Sequence, residues 1–152
     1  MTTMLRLRKA VPGDQRAMED VQRRASLVHE EYRAQLLAHP DAIAVPIEQI
    51  EAGEVFLAER DGVIVGFAAV VARADGDAEL DAIFVAPELW KQGIGRMLLD
   101  EAERIAVARG ARAMHVVANP TAIAFYKSCG YAIVGRAETR FGSADTMAKL
   151  LL

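Results

Sequence analysis

The chain has 152 residues, 53% hydrophobic and 26% charged, which suits one folded domain of ordinary size and excludes disorder and low complexity. A net charge of -3 without a long basic run lacks the electrostatic footprint of a nucleic-acid binder. A single cysteine, Cys129, excludes an internal disulfide, no Cys/His cluster stands at metal-ligand spacing, and no apolar run is long enough for a signal peptide or a membrane span. The expectation is a cytoplasmic protein with no metal and neither nucleic-acid nor membrane partners.

In chain order, residues 4–10 alternate apolar and basic side chains (Leu5, Arg6, Leu7, Arg8) and read as a half-buried first strand ended by Pro12-Gly13-Asp14. Asp14 is expected as the N-cap of a helix that buries Ala17, Met18, Val21 and Ala25 and keeps Arg16, Glu19, Asp20 and Arg23 wet. A second helix runs from about His29 to Leu37 and stops near His39-Pro40. A short third starts at Pro46, as first helical residue, and ends at Gly53.

From Glu54 the period changes to that of strands. Residues 55–60 and 63–72 flank Asp61-Gly62, the dipeptide of a type I′ hairpin, and after Asp75-Gly76-Asp77 a fourth strand covers 79–85, with Leu80, Ala82 and Phe84 on one face. A long helix follows and ends at Gly110, and the apolar run 113–118 is expected as a central strand. Asn119 and Pro120 are read as N-cap and first residue of a short helix carrying Ile123, Phe125 and Tyr126 to Gly130. Residues 131–136 and 146–151 are the last strands. The order defines an α+β, mixed-sheet, single domain over residues 1–152, without repeat or linker.

The stretch Trp90-Lys91-Gln92-Gly93-Ile94-Gly95-Arg96 stands out because it puts two glycines at the start of a helix, where glycine ordinarily costs stability. The helical spacing of Met97, Leu98, Ala102, Ile105 and Ala106 places them where backbone N–H groups have no intrahelical acceptor. The macrodipole adds partial positive charge, and Lys91 and Arg96 add full charges, so a phosphate or pyrophosphate is the natural guest. Two other phosphate loops are excluded on residues. A dinucleotide fingerprint needs a third glycine at Leu98, and a P-loop needs Lys followed by Ser or Thr where the chain has Arg96-Met97.

Strand 79–85, Pro87, the run Lys91 to Arg96, Asn119 and Tyr126 together resemble the GNAT superfamily of N-acetyltransferases, with most specificity over residues 79–130. The resemblance implies a mainly antiparallel twisted sheet of about seven strands with helices on both faces. It also implies that acetyl-CoA, as co-substrate, lays its pyrophosphate on the N–H groups of Lys91, Gln92, Gly93, Ile94, Gly95 and Arg96. Ile83, Phe84 and Val85, carried over by alignment, would offer backbone groups to the pantetheine arm. Asn119 and Tyr126 would contact the cofactor, and Tyr126 would protonate the departing thiolate. Glu79, or Asp81 on the same face, would accept the amine's proton through water. The pattern usually has Gln or Arg where this chain has Trp90.

Each assignment has a plainer counterpart: Phe125-Tyr126 as core, Asn119 as a cap, Glu79 as a solvated strand carboxylate, His29 and His39 as surface residues, and His115 as a strand histidine facing away from Met114 and Val116. Cys129 reads as a small buried hydrophobe. Members that acetylate protein N-termini tend to carry Glu where this chain has Met114, which argues against that acceptor class. The expected activity is transfer of acetyl to a primary amine, on a small molecule or a peptide, by direct attack in a ternary complex; a homodimer is compatible with it. The alternatives are a catalytically silent acyl-CoA sensor, transfer of a longer acyl group, and a phosphate-binding domain unrelated to CoA.

Overall fold

The structure, a computed structural model, describes residues 5–151, the side chain of Glu31 excepted; Met4, placed in the first strand by its sequence, lies outside the described residues. The elements are β1 (Leu5–Lys9), α1 (Gln15–Leu27), α2 (Glu30–Ala38), α3 (Ile47–Glu51), β2 (Val55–Arg60), β3 (Val63–Ala72), β4 (Ala78–Val85), α4 (Ile94–Ala108), β5 (Ala113–Ala118), α5 (Ile123–Ser128), β6 (Ala132–Thr139) and β7 (Gly142–Leu150), with short 3-10 turns between several of them. The strands form one seven-stranded sheet in the order β1-β2-β3-β4-β5-β7-β6. Pairing is antiparallel for β1 with β2, β2 with β3, β5 with β7 and β6 with β7, and parallel for β4 with β5. This is the expected mixed, mainly antiparallel sheet of an α+β fold.

Contacts divide the chain into two compact units, one running up to Ala69 and resuming at Ala82–Leu99, the other made of Val70–Asp81 and the residues from Asp100 onward. In the first unit α1 buries Met18, Val21 and Ala25 at the predicted spacing. Ala17 is exposed, contrary to expectation, and Glu19 is not wet: its Oε2 accepts the Val45 N–H at 2.9 Å, while Gln15 Nε2 donates to the Val45 carbonyl at 2.8 Å. Side chains four apart on a helix lie side by side, so the pair grips both polar groups of one extended residue. Met18, Val45, Ile50, Val55, Leu57 and Phe67 form the apolar cluster behind that grip, with Ala82 and Phe84 of β4 packed on it. Burying a side chain of the size of Phe67 contributes roughly 2–3 kcal/mol.

Asp14 stands at the N-cap of α1 as expected, without a side-chain cap, and the expected start of α3 is corrected by one residue. Asp14 does not cap α1 with its side chain; its carboxylate accepts Arg8 Nη1 and Nη2 at 2.8 and 3.0 Å and the Val11 N–H at 2.9 Å, bracing a 3-10 turn over Pro12–Asp14. Pro46 occupies the N-cap position of α3, and Ile47 is the first helical residue. The Asp61-Gly62 hairpin is as predicted, with φ of 52° and 78°, both in the left-handed region that a type I′ turn requires.

In the second unit β5 is flanked on one side by Ala78–Leu80 of β4 and on the other by residues 145–150 of β7. The last hairpin is longer than its sequence suggested, because Gly142-Ser143-Ala144-Asp145 has no apolar alternation yet pairs with residues 136–139, Arg136 Nη1 reaching Asp145 at 2.8 Å. Tyr131 falls outside β6: its N–H closes the end of α5 on the Tyr126 carbonyl at 3.0 Å, and its hydroxyl donates to Glu103 at 2.8 Å. Lys149 Nζ reaches the other Glu103 oxygen at 3.0 Å, so α4, β7 and the α5 terminus share one carboxylate.

Candidate active site

The glycine-bearing loop takes the form that an anion site needs. Lys91 has φ of 64° and Gly93 of 85°, while Gln92 between them keeps an ordinary φ; alternation of this kind turns successive N–H groups toward one side as a nest. Gly93 accepts the first intrahelical bond of α4, from the Met97 N–H at 3.0 Å, so the N–H groups of Ile94, Gly95 and Arg96 are the free donors of the first turn. A β-carbon at Gly93 would meet nothing within 4 Å, so glycine is required there by conformation, not by space. Gly95 is the second residue of α4 and puts no side chain over that turn. Lys91, Gln92 and Arg96 are exposed beside it, whereas Ile94 is buried and fixes the turn to the core.

Immediately before the loop, the connection from Val85 to Trp90 carries three contacts. The indole N–H of Trp90 donates to the Val85 carbonyl at 2.7 Å. The α1–α2 corner supplies the other two: Arg24 Nη1 meets both Glu88 carboxylate oxygens at 2.9 and 3.0 Å, and the His29 ring stacks on Trp90 with centroids 5.8 Å apart and planes 19° apart. Glu88 is held below the usual carboxylate range by its own backbone N–H and by Arg24. His29 is therefore more than a surface residue; the sequence signal was a stackable ring at a helix junction, which spacing alone cannot pair with Trp90. Phe84 lies against Phe67, centroids 5.6 Å apart, so its side chain packs on the core. Within the second unit β4 pairs with β5 over Ala78–Leu80.

Glu79, Asn119 and Tyr126 belong to the second unit. Glu79 Oε1 lies 3.5 Å from Arg73 Nη1, and the carboxylate is one-third exposed. Asn119 begins a 3-10 turn over Pro120–Ala122, ahead of α5; its side chain accepts the Thr121 hydroxyl at 2.7 Å and does not cap a helix N–H, which corrects the expected capping role. Tyr126 is 5% exposed and packs edge-to-face on Phe125 and Tyr131, centroids 5.3 and 5.6 Å away. Burial, with a smaller contribution from Cys129, pushes its phenol well above the ordinary range, so it holds its proton at any working pH. Cys129 is buried as expected.

His115 is not an isolated strand histidine. Its Nε2 lies 3.0 Å from Asp77 Oδ2, and one ligand atom each of Asp75, Asp77 and His115 fall within 4.8 Å of one another. Asp75 takes Arg73 Nε and the Asp77 N–H, and Asp77 also takes the Arg112 N–H at 3.4 Å, so these carboxylates already serve an ion-pair network on the β3–β4 turn. No helix among the described residues is long and apolar enough to cross a membrane.

The acetyltransferase (GNAT) family profile matches residues 21–131, a span that takes in the loop, the end of β4, Asn119 and Tyr126. The chain belongs to the GNAT family of acetyltransferases. A stretch of 59 residues is 37% identical to the peptidyl-lysine N-acetyltransferase YjaB of Salmonella typhimurium; it covers 39% of this chain and 39% of that protein. Among solved structures, a GCN5-related N-acetyltransferase from Rhodopseudomonas palustris is similar over 99% of this chain and 98% of its own, at 24% identity and a TM-score of 0.81. The PaiA N-acetyltransferase of Thermoplasma acidophilum, in complex with coenzyme A, is similar over 97% of this chain and 99% of its own, at 22% identity and a TM-score of 0.77. These likenesses establish the fold, and the GNAT membership expected from the residues is borne out.

Proposed function

We propose that this GNAT chain, acting as one domain, transfers the acetyl group of acetyl-CoA to a primary amine by direct attack in a ternary complex. The observation that carries the reading is the loop itself: a left-handed Lys91 and Gly93 followed by three free N–H donors at the start of α4, the arrangement suited to a pyrophosphate. The coenzyme A complex of the Thermoplasma relative supports the same guest.

The chemistry assigns the remaining roles. An amine of pKa near ~10 loses a proton to attack, and the departing thiolate, of pKa near ~8.5 when free, regains one. Backbone N–H groups of 83–85 are suited to the oxyanion that forms at the thioester carbon. Tyr126, protonated by burial and with no hydrogen bond to its hydroxyl among the described residues, is the acid toward sulfur. Glu79 or Asp81 accepts the amine's proton through water. The lysine-directed activity named for the Salmonella relative makes lysine side chains a first acceptor class to test.

Calorimetry with acetyl-CoA and a CoA-release assay against a panel of amines test the reading together. Wild-type protein should bind acetyl-CoA and release CoA with at least one amine, and Gly95→Val should abolish binding; unchanged affinity in that variant removes the loop from the site. One observation favours a second reading, an acyl-CoA-binding module without catalysis: Glu79 is already engaged by Arg73. Tight binding with no CoA release from any amine would select it.

A further inference from the structure

We propose that Trp90 is a positioning residue for the acetyl-CoA loop, holding Lys91 in its left-handed conformation and making the loop's shape depend on the α1–α2 corner. The inference rests on the acetyl-CoA reading of the loop and goes beyond it. A lysine with φ of 64° is an uncommon conformer that persists only where its surroundings over-determine it. The residue before it is fixed at two points. Its N–H edge is tied to Val85, five residues back, and its face lies on His29 at the N-cap of α2. With the indole pinned in two directions, the peptide leaving Trp90 enters Lys91 on one heading, and the nest of N–H groups exists before a ligand arrives. Arg24, in the last turn of α1, holds Glu88 within the same short connection, so two successive helices brace the span from Val85 to Trp90. The Val85 carbonyl, taken by the indole, leaves the pantetheine arm to the other backbone groups of 83–85.

The test is acetyl-CoA affinity by calorimetry for Trp90→Leu, Trp90→Phe, Lys91→Gly and the Trp90→Leu/Lys91→Gly double variant, with thermal unfolding followed in parallel. Trp90→Leu, which removes both anchors, should weaken acetyl-CoA binding roughly tenfold, the scale of one strained residue released. Trp90→Phe keeps the stack and should recover part of the loss. Glycine adopts a positive φ freely, so Lys91→Gly should cost less affinity in the Trp90→Leu background than in wild type. A general loss of stability does not produce that non-additivity. Additive losses, or a Trp90→Leu protein that binds within about twofold of wild type, overturn the proposal while leaving the acetyl-CoA reading in place. Should Trp90→Leu not fold, Trp90→Phe and its double variant with Lys91→Gly carry the same comparison, and additivity there is equally decisive. A wild-type protein that fails to bind acetyl-CoA sinks the loop reading itself, and the proposal with it.

Discussion

A β-carbon on Gly66 would come within 2.9 Å of the Phe84 carbonyl oxygen and 3.0 Å of Leu98 Cδ1, so β3 passes the end of β4 and the first turns of α4 at a distance that only glycine permits. The Ala86 N–H, bonded to the Val65 carbonyl at 2.9 Å, locks this approach one residue along. The strand that precedes the loop and the helix that follows it are thus both seated against one bare Cα. Gly66→Ala should lower stability by about 1–3 kcal/mol, the usual cost of overpacking, and should weaken acetyl-CoA binding beyond what the loss of folded protein explains. Chemical denaturation beside calorimetry at a temperature where the variant is fully folded separates the two effects.

Tyr126→Phe removes the hydroxyl and keeps the edge-to-face packing on Phe125 and Tyr131. Turnover should fall by roughly 10²-fold or more, on the scale of a lost general acid, with acetyl-CoA affinity nearly unchanged. Because burial raises the phenol's pKa, the wild-type rate should show no loss of this acid through neutral and moderately alkaline pH. A rate unaffected by the substitution would return Tyr126 to the core.

Glu79→Gln tests the base. As base, Glu79 should account for about 10²-fold in kcat/KM. If the carboxylate serves only its ion pair with Arg73, which is partly exposed, both rate and stability should barely move. Asp81→Asn in parallel identifies the alternative carrier of the role.

Asp14 gives a pH-dependent contribution to stability of known sign. Arg8 first, then the Val11 N–H, hold its carboxyl below the usual carboxylate range in the folded chain, against the opposing effect of burial. A lowered folded pKa means that the contribution is fully present above the ordinary Asp value and is lost as pH falls through the folded one. Asp14→Asn should therefore cost about 1 kcal/mol at neutral pH, with the gap between variant and wild type closing on acidification below about pH 4. Thermal melts of both proteins across that range check it.

What could be read from the residues alone was whatever depends on neighbours in sequence. Asp61-Gly62 announces its turn, Gly53, Gly110 and Gly130 end their helices with positive φ as expected, and the two glycines of the loop fall at the start of α4. Several departures involve a partner remote in the chain or a strand without an apolar period. Glu19 finds Val45, Asp77 finds His115, and residues 142–145 join β7 only because β6 is beside them. Asp14 stands at the expected N-cap position, but its carboxylate serves a guanidinium six residues back in β1, which the local pattern does not announce. Within the site, the loop was legible because its chemistry is backbone chemistry; the Trp90 bracket was not, since an indole reveals nothing of where its N–H will point.

Trp90 is the single tryptophan of the chain. Its indole, hydrogen-bonded to Val85 and stacked on His29 beside the loop, therefore makes the molecule's near-ultraviolet emission a local signal. Acetyl-CoA added to the unlabelled protein should change that emission, with no tryptophan elsewhere to dilute the change, and an unaltered spectrum at saturating acetyl-CoA would place the ligand away from the loop.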